Sequence, residues 1–186
     1  MRLRRVSLRF TLVAATVALI VAATPAVAEA PGEGLTPNPA RQPSIHRSQA
    51  SGALMGSLRI PAIDLVEPVR SGVSLTVIDQ GVAHWAGTAT PGNTGNVVLA
   101  GHRTTHSRPF FFIDTLEVGD LIYLTDGDGF EVMYTVSDTF VVEPTDLWIT
   151  YDSEDPTLTM FACHPRGSAR YRIVVTADLV GGRRIA

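Results

Sequence analysis

From Leu54 onward, the sequence consists of short apolar segments separated by Gly, Pro and Asp, and this pattern limits the fold more than any other feature. The segments are rich in Val, Ile, Thr and aromatic residues, which favour strands. Seven or eight strands with little helix in about 125 residues predict an all-β fold, a closed or nearly closed β-barrel. The clearest predicted strands are Asn96 to Ala100, Leu121 to Leu124, Phe130 to Val142, Thr157 to Ala162 and Tyr171 to Ala177.

The longest of these segments shows the period-two pattern of a half-buried strand. Phe130, Val132, Tyr134 and Val136 alternate with more polar neighbours. The preceding residues 125–129, Thr-Asp-Gly-Asp-Gly, are typical of a hairpin turn. Helical segments are expected to be short, and the two candidates are Leu75 to Gln80 and Pro109 to Leu116.

The N-terminus indicates export. Residues 1–30 combine an Arg cluster, an uncharged apolar run and a small-residue motif, as in a signal peptide. The 19 residues from Phe10 to Ala28 would also span about 28 Å as a helix, so a retained membrane anchor fits equally well. Residues 31–53 are typical of a flexible linker rich in Pro, Gly, Ser and Ala. We therefore expect a folded domain at 54–180 and a short tail at 181–186.

Charge and cysteine content exclude several function classes. From Leu54 onward there are nine Arg and sixteen Asp or Glu, giving a net charge of 9 − 16 = −7. Such a domain is a poor partner for nucleic acid. The chain has one cysteine, Cys163, which excludes an intramolecular disulfide and CxxC-type metal or redox motifs.

Three residues, each at the end of a predicted strand, could together cleave an amide. Cys163 follows an apolar strand, His102 ends another after Gly101, and Arg172 begins the last. Thiol attack on an amide needs a proton acceptor and donor and a positive group for the oxyanion. Cysteine, histidine and arginine supply these roles.

Each residue also has a simpler interpretation. Cys163 alone is as well explained as a small buried residue, since free cysteine is usually that. His102 could be a loop histidine, and Arg172 a solvated strand residue with Arg170 as its competitor. The remaining histidines are weaker candidates, because they lie in the linker, in apparent loops, or beside Cys163 on the opposite face of an extended chain: His46, His84, His106 and His164.

In combination, the segments around these residues resemble the sortase family over about residues 54–180. The resemblance implies a β-barrel cysteine transpeptidase with Cys163 as nucleophile, His102 as acid/base and Arg172 as the residue that positions the oxyanion or substrate. The residues after Cys163 and the N-terminus look most like the class E sortases of actinobacteria. The segments that carry the resemblance are Gly56 to Ile63, Asn96 to Thr105, Phe110 to Asp120, Thr159 to Cys163 and Tyr171 to Ile173.

The resemblance also implies partners. The family cuts a sorting signal of the LPxTG type after Thr, LAxTG in class E, and transfers the protein to an amine of peptidoglycan or its lipid-linked precursor. The substrate-binding candidates lie before the cysteine and in the connection 143–156: Thr159, Ala162, Pro144, Leu147 and Trp148. Simple core packing is an equal alternative for Trp148.

One departure from the family pattern tempers the resemblance. Ala162 stands where the family has a second Thr, which would remove a hydroxyl beside the nucleophile and a hydrogen bond worth ~1 kcal/mol. A hydrolytic peptidase, or a non-catalytic β-domain that binds surface proteins or cell wall, therefore stays open. We expect no cofactor and no metal, since Asp126, Asp128 and Glu131 fit a solvated hairpin turn better than a calcium site.

Overall fold

A computed structural model describes residues 52–185 and confirms the predicted β-barrel. Eight strands close in the order β1-β2-β3-β4-β7-β8-β6-β5. Most neighbours are antiparallel, while β2 pairs with β3, and β4 with β7, in parallel. The strands are β1 Leu54–Ile60, β2 Leu65–Ser71, β3 Val82–His84, β4 Asn96–Ala100, β5 Leu121–Asp126, β6 Phe130–Val142, β7 Thr157–His164 and β8 Tyr171–Arg184.

Alternation along the strands builds the barrel interior. On β6, Val132, Tyr134 and Val136 are buried in the central apolar cluster, while Met133 and Thr135 between them are only partly buried. Burial of apolar surface of this kind is the dominant stabilising term in a small domain. The pattern was readable in the sequence because successive side chains of a strand point to opposite faces.

Helical structure is shorter than the sequence predicts. The first candidate forms one short helix, α1, at Leu75–Ile78. The second candidate forms only a 3-10 turn at Ile113–Thr115. Here the Phe110 side chain is fully buried, and the backbone N–H of Phe110 donates to the His102 carbonyl oxygen at 3.0 Å, so the segment follows these tertiary contacts instead of a regular helix. Two further 3-10 turns occupy Pro61–Ile63 and Leu147–Thr150.

The two ends of the chain differ in what the structure describes. β8 continues to Arg184, which pairs with Phe130, so residues 181–184 belong to the barrel and not to the expected tail. The predicted signal or anchor at 1–30 and all of the linker except residues 52–53 lie outside the described residues. Within residues 52–185, no helix has the length and apolar character needed to cross a membrane.

Two carboxylates near the β5–β6 hairpin, Asp126 and Glu131, have different environments. Asp126 Oδ1 accepts hydrogen bonds from the N–H groups of Asp128 and Phe130, both at 2.9 Å, as a turn residue does. Glu131, in contrast, is buried on β6, where Arg59 and Arg183 bind its two carboxylate oxygens at 2.9 and 3.0 Å. The expectation of a solvated turn is therefore wrong for Glu131, which instead ties β1, β6 and β8 together.

This ion-pair cluster should make the barrel sensitive to acid. Hydrogen bonding by Arg59, opposed by burial and reinforced by Arg183, lowers the pKa of Glu131. A carboxylate with a depressed pKa contributes stability above its unfolded pKa of about 4.3 and loses it as pH falls through the folded value. We expect Glu131→Gln to lower the free energy of unfolding at pH 7 by about 1–3 kcal/mol.

Urea unfolding of the wild type and of Glu131→Gln between pH 7 and pH 3.5 measures this contribution. The difference between the two proteins should shrink as the pH falls below about 4.5, because the wild-type carboxyl becomes protonated. Asp178→Asn, which neutralises an exposed carboxylate of β8, serves as the control. A difference that stays constant with pH would contradict the assignment.

Candidate active site

Cys163 lies near the end of β7 on the outer face of the barrel. Leu158, Met160 and Ala162 of the same strand belong to the interior cluster, so the alternate residues Phe161 and Cys163 face outward. Cys163 is free and partly exposed. Ala162 points into the barrel, away from the thiol, so a hydroxyl at this position would not lie beside the nucleophile as the sequence suggested.

Arg172 is the residue directly opposite Cys163 on the neighbouring strand. The register of β7 and β8 pairs Cys163 with Arg172, and Phe161 with Val174. Opposed side chains of antiparallel strands share one face, with Cβ atoms about 5 Å apart. Arg172 Nη1 donates to the carbonyl oxygens of Ala169 and Tyr171 at 3.0 and 2.9 Å, which holds the guanidinium at this strand end. Arg170 precedes β8 and has no such register position.

The parallel pairing of β4 and β7 brings His102 to the same level. Ala100 pairs with Phe161, and the Gly101 N–H donates to the Phe161 carbonyl oxygen at 3.3 Å. His102 lies two residues after Ala100, and Cys163 lies two residues after Phe161, so the two residues are at the same level. Gly101 is required here, since a Cβ would approach the Phe110 ring to 2.7 Å. The buried ring thus fixes the backbone immediately before His102.

The ring of His102 is held by polar partners on both nitrogens. Nε2 lies 2.8 Å from Asp79 Oδ1, just after α1, and Nδ1 lies 3.0 Å from Thr105 Oγ1. The ring also stacks on His106 with centroids 4.6 Å apart. A carboxylate only accepts, so Nε2 carries a proton and Nδ1 is the nitrogen left for proton exchange when the ring is neutral. No local pattern in the sequence indicates Asp79, because it lies 23 residues from His102.

A buried arginine contacts the backbone of Cys163 and the side chain of the next residue. The Arg103 side chain is 1% exposed, forms an ion pair with Asp114, and donates from Nη1 to His164 Nδ1 at 2.7 Å and, at 3.4 Å, to the Cys163 carbonyl oxygen. A guanidinium has only donors, so His164 Nδ1 must be an acceptor. His164 is therefore a structural partner of Arg103.

Asp114 links this arginine to the loop after β7. Its two carboxylate oxygens bind Arg103 and Arg166, the latter at 2.7 Å. Partial burial opposes ionisation of Asp114, but the hydrogen bonds and charges of Arg166 and Arg103 outweigh it and lower the pKa of the carboxyl. The buried role of Arg103 was not predicted from the sequence, because an arginine that follows a strand usually has a solvated side chain.

The predicted substrate-binding residues fall into two groups. Pro144 and Leu147 are exposed in the β6–β7 connection, and Trp148 is half-buried with its ring stacked on Phe140, centroids 5.7 Å apart. These three can line a surface beside the outer face that carries Cys163. Thr159 is 4% exposed, and Ala162 lies inside the barrel, so neither presents its side chain to a peptide.

His84 also differs from its predicted position. It was expected in a loop, but it lies in β3, buried, with Nε2 2.8 Å from the Ala89 carbonyl oxygen. Burial lowers the pKa of His84, although the hydrogen bond with Ala89 acts in the opposite direction. Its role is to close the loop after β3.

Comparison with known proteins agrees with this architecture. The family model described as "Sortase domain" matches residues 58–180. Sortase SrtE1 of Streptomyces coelicolor is 33% identical over 141 residues, which are 68% of this chain and 40% of that protein. Sortase D of Bacillus subtilis is 32% identical over 116 residues, 62% of this chain and 57% of that protein.

Solved structures give the same result. The crystal structure of Sortase E1 from Streptomyces coelicolor with a tripeptide in its active site superposes with a TM-score of 0.67 at 30% identity, covering 74% of this chain and 94% of that one. Sortase A of Listeria monocytogenes superposes with a TM-score of 0.66 at 26% identity, covering 72% and 91%.

The chain therefore spans about 40–60% of the length of the curated relatives it matches. The matched residues, 58–180, include Cys163, His102 and Arg172, and they make up well over half of the chain. This chain belongs to the sortase family.

Proposed function

We propose that this chain is a cysteine transpeptidase that cleaves an LAxTG- or LPxTG-type sorting signal after Thr and transfers the acyl group to a cell-wall amine. The observation that carries the proposal is the register that sets Arg172 directly opposite Cys163 and His102 alongside, at one end of the barrel. Thiol, imidazole and guanidinium are the groups that this chemistry requires.

In the first half-reaction His102 Nδ1 accepts the thiol proton of Cys163, and the sulfur attacks the Thr carbonyl carbon. The C–S bond forms, and the negative charge that develops on the carbonyl oxygen is stabilised by the Arg172 guanidinium. Collapse of this intermediate breaks the C–N bond, and His102 Nδ1 delivers the proton to the leaving glycine amine. An incoming amine then attacks the thioester and gives up its proton to His102. The C–S bond breaks, and His102 returns the proton to the sulfur to restore the thiol.

Asp79 and Thr105 prepare His102 for this work. The Asp79 carboxylate holds the Nε2 proton, fixes the tautomer and stabilises the imidazolium that forms during proton transfer. The Thr105 hydroxyl occupies Nδ1 in the substrate-free chain and exchanges this place for the leaving group. Arg103 holds the Cys163 backbone from inside.

The partners follow from this chemistry. The acyl donors are surface proteins with C-terminal sorting signals, and the acceptor is peptidoglycan or its lipid-linked precursor. Residues 1–30 would direct the chain across the membrane and either anchor it there or be removed. Pro144, Leu147 and Trp148 would line the apolar part of the signal groove.

Peptide transfer provides the test. The protein is incubated with LAxTG, LPxTG and scrambled peptides, with and without a small amine, and the products are identified by mass spectrometry. We expect cleavage between Thr and Gly of the ordered signals only, and an amine-ligated product when the amine is present. Cleavage that yields only the free acid at saturating amine would make the chain a hydrolase instead.

The orientation of Ala162 weakens the non-catalytic alternative. That alternative rested on the loss of a hydroxyl next to the thiol, but Ala162 faces the barrel interior. The presence of alanine instead of threonine at this position therefore leaves the outer face at Cys163 unchanged.

A further inference from the structure

The proposed catalytic histidine and its partner Asp79 form a cluster with His106, a residue that proton transfer does not require. Asp79, His102 and His106 each offer one possible ligand atom, and these atoms all lie within 4.8 Å of one another. Asp79 Oδ1 lies 2.8 Å from His102 Nε2 and 3.4 Å from His106 Nδ1. His106 has no role in the chemistry described above.

We propose that Asp79, His102 and His106 bind a zinc-class divalent ion that switches the enzyme off. The inhibitory part of this inference rests on the proposed function, because it assumes that His102 transfers protons. The binding part rests only on the geometry of the three side chains.

The donor set fits zinc better than magnesium or calcium. Two imidazole nitrogens and one carboxylate oxygen are typical zinc ligands, whereas magnesium and calcium prefer oxygen. In a tetrahedral site with bonds of about 2.0 Å, ligand atoms lie roughly 3.3 Å apart. The 3.4 Å separation at His106 already matches this value, and the 2.8 Å separation at His102 requires about half an ångström of movement.

The site is open to ions from solvent. The side chains of His106 and Asp79 are 48% and 38% exposed, while that of His102 is 19% exposed. Three protein ligands would leave the fourth tetrahedral position to water. An ion can therefore enter and leave without opening the barrel.

Thr105 supplies the outer-shell partner that a zinc-bound histidine usually has. When Nε2 of His102 gives its lone pair to a metal, the ring proton must reside on Nδ1. Thr105 Oγ1, at 3.0 Å from Nδ1, can accept that proton's hydrogen bond and fix the ring. The same hydroxyl thus serves both tautomers.

Metal binding would remove His102 from catalysis. With Nε2 bound to the ion and Nδ1 protonated, the ring has no lone pair left to accept a proton. The ion would also bind the Asp79 carboxylate, which otherwise stabilises the His102 imidazolium. Both effects act against amide cleavage.

The competing arrangement places the ion between Cys163 and His102, since thiolates also bind zinc. We would titrate the full chain and its Cys163→Ala, His106→Ala, Asp79→Asn and Asp178→Asn variants with Zn²⁺ by calorimetry and with Co²⁺ by visible absorption. We expect one ion per chain in the wild type, unchanged affinity in Cys163→Ala and Asp178→Asn, and at least about tenfold weaker binding in His106→Ala and Asp79→Asn.

Two results would overturn the site. One is a thiolate-to-cobalt charge-transfer band in the wild type together with loss of binding in Cys163→Ala. The other is unchanged affinity in both His106→Ala and Asp79→Asn. Thermal unfolding of each variant verifies that a weakened site belongs to a folded protein.

Inhibition is measured separately from binding. Peptide cleavage by the wild type should fall as Zn²⁺ is added and return with EDTA, and His106→Ala should need at least about tenfold more zinc, each rate being normalised to its own metal-free value. Equal zinc sensitivity of the two proteins would contradict the switch. If the chain cleaves no peptide, the proposed function fails, while the binding titrations still decide the site.

Discussion

Cys163→Ala is expected to abolish formation of the acyl-enzyme and to lower peptide cleavage by at least about four orders of magnitude. In the proposed mechanism the thiol forms the covalent bond to the substrate, and the chain offers no second cysteine to replace it. Mass spectrometry of the protein after incubation with an LAxTG peptide measures the adduct directly. The wild type should gain the mass of the peptide up to Thr, and the variant should gain nothing.

The fold of this variant should be intact. Cys163 is partly exposed on the outer face, so alanine leaves no cavity in the barrel core. A thermal unfolding midpoint close to that of the wild type would assign the loss to chemistry. If Cys163→Ala still formed product at a comparable rate, another nucleophile would be at work and the transpeptidase assignment would fail.

The barrel was predictable because its signal is local. The bounds expected for β4 and β6 agree with the structure, because β4 is a continuous buried run between two glycines and the first half of β6 alternates between buried and partly buried residues. The second predicted helix failed for a tertiary reason. The burial of Phe110 against Gly101 and its hydrogen bond to His102 determine that segment, and neither contact is visible in residues 109–116 alone.

The site was predictable only in part. Residue type and position at strand ends made Cys163, His102 and Arg172 candidates, but their roles and the preference for Arg172 over Arg170 came from the family resemblance. The strand order that sets them side by side is not written in their spacing. Asp79 and Arg103 were missed because their partners lie 23 and 60 residues away. Ala162, in contrast, could have been placed correctly, because the parity argument that removed His164 also points Ala162 away from the thiol.

Arg172→Ala should have the second-largest effect, a loss of about 10²–10³-fold in kcat, typical of removing one oxyanion donor. In the proposed mechanism the guanidinium stabilises the charge that develops on the carbonyl oxygen, so its contribution should appear mainly in the transition state. We expect a smaller change in KM than in kcat, measured from initial rates of peptide cleavage over a range of substrate concentration. Lysine at this position should restore only part of the rate, because an ammonium lacks the planar set of donors.

Arg170→Ala is the matched control for this prediction. Both residues are arginines of the same segment, but Arg170 precedes β8 and lies over the Tyr171 ring, while Arg172 pairs with Cys163. Arg170→Ala should therefore remain within a few-fold of the wild-type rate. If the two variants lost activity equally, the loss of positive charge from this segment would explain the effect better than the pairing of Arg172 with Cys163. A large loss in Arg170→Ala alone would reverse the assignment, and the pairing of β7 with β8 would no longer identify the oxyanion partner.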